Sequence, residues 1–133
     1  MAAVAVVYAL LTISAALSAP ISRDEHMYAA AAVATADHAL YRDVVFTHPP
    51  VSAWWYRSAI GLWPEGQILL PMRLAQALVF LMLGAVWFGV FCRVGASSIV
   101  AAFLVLLLLN LDEFRQSMGL ARSHELALLL ALT

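Results

Sequence analysis

The sequence predicts an all-α fold of polytopic transmembrane helices, three spans and the start of a fourth, with amphipathic surface helices in a long first loop. Three observations lead there. Hydrophobic residues make up 65% of the 133 positions and charged residues 11%, against roughly 45–50% and about 25% in soluble globular domains. A chain of 14.4 kDa has too small an interior to hide that much apolar surface from water. The charges are also grouped, which leaves long uncharged runs between them.

The first run, Met1 to Ser22, predicts transmembrane helix 1 over residues 1–20. A secretory signal peptide is the alternative, since Ala16, Ser18 and Ala19 precede Pro20. The absence of Lys or Arg near the N-terminus and the length of the apolar stretch favour an uncleaved span. Residues 21–66 form the long loop and hold most of the ionisable groups. Residues 67–133 hold spans 2 and 3 and the start of span 4. Leu74–Cys92 (19 residues) and Val94–Leu111 (18 residues) are uncharged, close to the roughly 20 residues that cross a hydrocarbon core. Arg93 to Ser98 joins them as a tight antiparallel hairpin. A fourth run, from Leu126, has reached eight residues at Thr133; it spans only about 12 Å, so the chain is expected to end inside its fourth helix.

Seven Arg, no Lys and eight acids give a net charge of −1, which provides no basic face for a nucleic acid. The single Cys92, inside an apolar run, excludes a disulfide scaffold and a Cys-based zinc site. The expected partner is the lipid bilayer. Arg23, Arg42, Arg57 and Arg73 flank the long loop and only Arg93 lies in the hairpin, so the positive-inside count alone would put the long loop in the cytoplasm.

Within the loop, Ser22-Arg23-Asp24-Glu25 reads as a capping box that opens a helix over Arg23–Leu40. Asp24 and Glu25 then either complement the positive end of that helix or offer a general base beside a membrane span. The Pro49-Pro50 pair stops any helix and holds the preceding residues extended. Trp54, Trp55, Tyr56 and Trp63 mark the headgroup level, with stacking on a sugar ring as the minor alternative. His26, His38, His48 and His124 could join nearby acids around a divalent metal, but no recognised ligand spacing is present; no metal ligand and no certain cofactor is assigned.

Asp24-Glu25-x-x-Tyr28, Leu40-Tyr41-Arg42-Asp43, His48-Pro49-Pro50, Pro71-Met72-Arg73-Leu74 and Ala121-Arg122-Ser123-His124-Glu125 together resemble the N-terminal third of the C-type-fold membrane glycosyltransferases. That group includes protein O-mannosyltransferases and lipid A aminoarabinose transferases. The resemblance implies a polyprenyl-phosphate sugar as donor, an extracytoplasmic acceptor and an extracytoplasmic first loop, in a bacterial inner membrane. It makes Asp24 the base candidate and Glu25 its neighbour in the catalytic pair. Tyr28, Tyr41, Arg42, Asp43, His48, Arg122, His124 and Glu125 become candidates for substrate binding. His124 stands where relatives often have Asp, and the Arg count opposes the family orientation. The expected function is therefore sugar transfer by a longer polypeptide or assembly, the 133 residues alone being inactive. The remainder of the same chain, or neighbouring membrane subunits, would complete the site. The alternative is a small non-catalytic transmembrane subunit of a larger complex.

Overall fold

The computed structural model describes residues 2–64, 66–109 and 111, with the side chains of residues 2, 3 and 109 excepted. Among them the secondary structure is helical throughout: α1 (Ala2–Ser18), α2 (Arg23–Ala34), α3 (Pro50–Gly61), α4 (Leu69–Arg93) and α5 (Ser98–Leu109). The expected fourth span, with Arg122, His124 and Glu125, lies outside the described residues.

Helix α4 is the centre of the arrangement, packed against each of the other four. It runs for 25 residues and is, among the described residues, the one helix long and apolar enough by itself to cross a membrane. It starts earlier than the uncharged run predicts, taking in Pro71 and Arg73. Pro71 is tolerated because the first-turn N–H groups of a helix have no intrahelical partner to lose. Helix α1 has 17 residues and the described part of α5 has 12, about 25 Å and about 18 Å at 1.5 Å per residue. Among the described residues, the full length expected of a span is thus reached by a single helix, α4.

Helix α1 ends where Pro20 blocks its continuation, and α2 leaves at 90° to it. The capping box expected at this corner is present: Ser22 Oγ accepts from the Glu25 N–H, and the Glu25 carboxylate accepts from the Ser22 N–H. Helix α2 stops at Ala34, six residues short of the expected end. Thr35 Oγ1 turns back to the Ala32 carbonyl, and Ala36, Asp37 and His38 follow in turns, the local bonding by which such side chains compete with a helix. The proline pair does more than stop a helix. Pro49 precedes α3 and Pro50 is its first residue, where a missing N–H and a fixed φ suit helix initiation.

The hairpin between α4 and α5 is closed by specific backbone bonds. Gly95 adopts φ +97°, its N–H bonds the Cys92 carbonyl, and the Ala96 N–H bonds Phe91, together a Schellman motif. Ser97 then caps α5 through its side chain at the Val100 N–H. Ala101, Ala102 and Val105 face inward, with Val105 packed beside Phe80 of α4. On the other flank, α1 lays Tyr8, Thr12 and Ala16, four residues apart, toward α4. Thr12 and Ala16 are fully buried, and the Tyr8 hydroxyl donates to the Phe80 carbonyl at 2.6 Å.

Candidate functional site

The corner between α1 and α2 meets the first turns of α4 at a buried ion pair. Glu25, third residue of α2, is 0% exposed, and its carboxylate faces Arg73. Arg73 Nε donates to Glu25 Oε1 at 2.9 Å and Nη2 to Oε2 at 2.8 Å, the bidentate fork that suits guanidinium to carboxylate. The rest of the guanidinium caps α1. Nη1 donates to the carbonyls of Ala16 at 3.2 Å and Ala19 at 2.7 Å, and Nη2 to Pro20 at 3.3 Å. A guanidinium has five N–H donors, and these five bonds use all of them. The carbonyls of Ala16, in the last turn of α1, and of Ala19 and Pro20, in the corner that follows it, are thus satisfied from a residue more than fifty positions away.

Asp24, one residue before Glu25, is exposed. It occupies the second position of α2, at the positive end of the helix dipole. The adjacent acids therefore have separate environments: Glu25 is enclosed by Arg73 and Ser22, and Asp24 faces outward at the rigid corner that Glu25 fixes.

One turn further along α2, Tyr28 is buried among aromatic rings. Its ring centroid lies 5.2 Å from His48, 6.0 Å from Phe46 and 6.2 Å from Tyr56. Tyr56 of α3 donates from its hydroxyl to Gln76 Oε1 of α4 at 2.8 Å. The Tyr41 hydroxyl reaches the His48 carbonyl at 2.5 Å. Tyr41 itself sits at φ +70° in a tight turn closed by the Tyr41 N–H on Val44 and the Asp43 N–H on Ala39. The structure thus brings Tyr28, Tyr41 and His48 together. Arg42 and Asp43 pair with each other in that exposed turn, at 2.9 Å. The Arg42 guanidinium, and then the Ala39 N–H at 2.9 Å, hold the Asp43 carboxyl below the usual range; the same pairing raises the pKa of Arg42. Among the described residues no group of three or more His, Cys, Asp or Glu side chains is placed to hold a metal ion.

Two partnerships have no counterpart in the sequence pattern: Arg73 with Glu25 and Gln76 with Tyr56. Arg73 had a usable signal, since a charge inside an apolar helix demands a partner. With every donor taken, Arg73 has none left for a substrate phosphate.

An apolar cavity of about 320 Å³ opens between α1, α4 and α5, lined by Val4, Tyr8, Gly84, Phe88 and Val105 among others. Among the described residues no acid or histidine lines it. No protein-family model, no curated protein and no solved structure matches the chain.

Proposed function

We propose that this chain is the N-terminal membrane part of a glycosyltransferase that moves a sugar from a polyprenyl-phosphate donor to an extracytoplasmic acceptor, with Asp24 as the general base. The observation that supports this most is the division between the adjacent acids. A general base needs a carboxylate open to the acceptor hydroxyl and held in a fixed place. Asp24 is exposed on a corner fixed by the Glu25–Arg73 ion pair, whereas Glu25 is fully buried and serves as the anchor. The bilayer setting draws on α4, long and apolar enough to cross it, and on the apolar outer faces of its neighbours. Leu10 of α1 and Ile99 and Phe103 of α5 are 62%, 78% and 64% exposed, an apolar surface that hydrocarbon covers at no penalty. In this reading α1, α4 and α5 are spans, and α2 and α3 lie at the membrane surface.

The chemistry asks little of the leaving side. Charge departs with the polyprenyl phosphate, which needs cationic stabilisation but little acid assistance. Arg73 is committed to Glu25 and the end of α1, so that stabilisation falls to other cations, Arg42 and Arg122 being the ones the family resemblance nominates.

The test is sugar transfer by native membranes, in which the chain is present with whatever completes its site, assayed with radiolabelled polyprenyl-phosphate mannose, glucose and aminoarabinose. Asp24→Asn should lower transfer by roughly 10²–10⁴-fold, the usual loss for a general base, with membrane insertion unchanged. Normal transfer by that variant removes Asp24 from the mechanism. Wild-type protein that transfers none of these sugars yet purifies inside a stable membrane assembly supports the alternative, a non-catalytic subunit.

A further inference from the structure

The acidic corner can be placed against the bilayer through its partner in α4. The uncharged run of α4, Leu74–Cys92, is about 28 Å long at 1.5 Å per residue, which matches a hydrocarbon core of about 30 Å. Arg73 directly precedes that run and Arg93 directly follows it, so Arg73 marks one edge of the hydrocarbon. Its guanidinium holds the Glu25 carboxylate at 2.8 Å and the carbonyls of Ala19 and Pro20 at 2.7 Å and 3.3 Å, which brings the corner to the same edge. Helix α2 leaves α1 at 90° and runs along the membrane surface rather than away from it. Asp24, one residue from Glu25, therefore gains no height above that edge and lies in the headgroup layer, about 5–7 Å thick on each side. Exposed apolar side chains flank it. Leu17 in the last turn of α1, Ile21 just before the Ser22 cap and Met27 three residues along α2 are 54%, 61% and 36% exposed.

We propose that the acceptor is a membrane lipid whose headgroup carries a free hydroxyl. The inference rests on the sugar-transfer reading above and on its membrane frame, and adds to them the class of the acceptor. A general base must lie within hydrogen-bond reach, about 2.6–3.2 Å, of the hydroxyl it deprotonates, so the acceptor oxygen has to sit in the headgroup layer beside Asp24. A lipid headgroup is held in that layer already. Its acyl chains cover Leu17, Ile21 and Met27, apolar surface whose removal from water is favourable. A soluble acceptor has to be drawn into the layer and leaves that surface wet. In the step itself the acceptor oxygen bonds to the anomeric carbon of the sugar as the bond from that carbon to the phosphate oxygen breaks. The hydroxyl proton passes to the Asp24 carboxylate, and the electron pair of the broken bond leaves on the polyprenyl phosphate.

The experiment supplies native membranes with each of the three radiolabelled donors and follows where acid-stable label collects. Mild acid releases the sugar from its phosphate in unused donor and leaves a glycosidic bond intact. Acid-stable label should extract with the membrane lipids into chloroform–methanol, and should fall by roughly 10²–10⁴-fold in Asp24→Asn. Acid-stable label that instead collects in the protein pellet or the aqueous phase, and is lost in Asp24→Asn, overturns the lipid acceptor and leaves the sugar-transfer reading standing. Lipid label that persists in Asp24→Asn overturns it as well, because that acceptor is then not served by this corner. No acid-stable label in any fraction defeats the sugar-transfer reading itself, and this inference with it.

Discussion

At its N-terminal end α4 meets its neighbours through Arg73 and Gln76, polar side chains whose atoms are directed at named partners in α1, α2 and α3. Further along it meets α1 and α5 through Phe80 and Gly84, where shape and one tyrosine hydroxyl set the contact. The difference shows how a short chain can fix one region and leave the other adaptable. Hydrogen bonds to a charged group in a buried site are directional and strong, so the corner has one geometry. Apolar surfaces tolerate sliding unless a close approach forbids it.

The largest effect should come from breaking the directional end. Arg73→Met leaves the Glu25 carboxylate buried without its cation, a loss of about 3–5 kcal/mol in comparable pairs. The thermal unfolding midpoint in detergent should fall steeply, and the chain between α1 and α2 should become sensitive to protease. The double variant Glu25→Met with Arg73→Met sharpens the point. A simple buried ion pair is often replaceable by apolar residues at no loss. Here Ala16, Ala19 and Pro20 also lose their donor, so the double variant should recover only part of the stability. Full recovery would show that the capping of α1 by Arg73 is dispensable.

The shape-dependent end has its own weak point. A Cβ on Gly84 would stand 2.7 Å from Cε1 and 2.9 Å from the hydroxyl of Tyr8, closer than packed atoms allow. Gly84→Ala should therefore push α1 off α4, with a loss of about 1–3 kcal/mol, as overpacked cores show. In a double-mutant cycle with Tyr8→Ala the two losses should fall well short of adding, because the ring that clashes is gone. Additive losses would mean that α1 does not cross α4 at this glycine.

What was legible in the sequence divides along the same line. The capping box at Ser22 and Glu25 is a four-residue pattern, and the turn at Gly95 lies between two uncharged runs; both are local, and both appear as expected. The ion pair of Glu25 with Arg73 joins residues 48 positions apart, and no short-range pattern encodes a partner at that distance. The alanines predict a helix reaching Leu40, but Thr35 Oγ1 bonds back to the Ala32 carbonyl and the backbone turns after Ala34. For the site, the pattern named Tyr28, Tyr41 and His48 but not their contact, which depends on the chain reversing between Ala34 and Pro50. It set Asp24, as base, beside Glu25, as its neighbour; the two differ in burial, since one residue along a helix turns the side chain by about 100°.

The smallest effect belongs to the exposed turn, which contrasts with both ends of α4. Arg42 and Asp43 form a bidentate pair at 2.9 Å with geometry close to that of Glu25 and Arg73, yet they stand in solvent, where such pairs add little to stability. The pH dependence should show it. Arg42 and the Ala39 N–H favour the charged carboxylate, so the pKa of Asp43 is lower folded than unfolded. A group shifted in that direction contributes above its unfolded pKa, about 3.9 for Asp, and loses that contribution as pH falls through the folded value. The turn should therefore loosen only below about pH 4. The amide shift of Ala39 and the Nε–H shift of Arg42, followed by NMR, should titrate together with a midpoint below 3.9 and lose that inflection in Asp43→Asn. The global unfolding midpoint should hardly move in that variant. A midpoint at or above the free-Asp value would break the pairing, and a large change in global stability would place this turn with the buried corner after all.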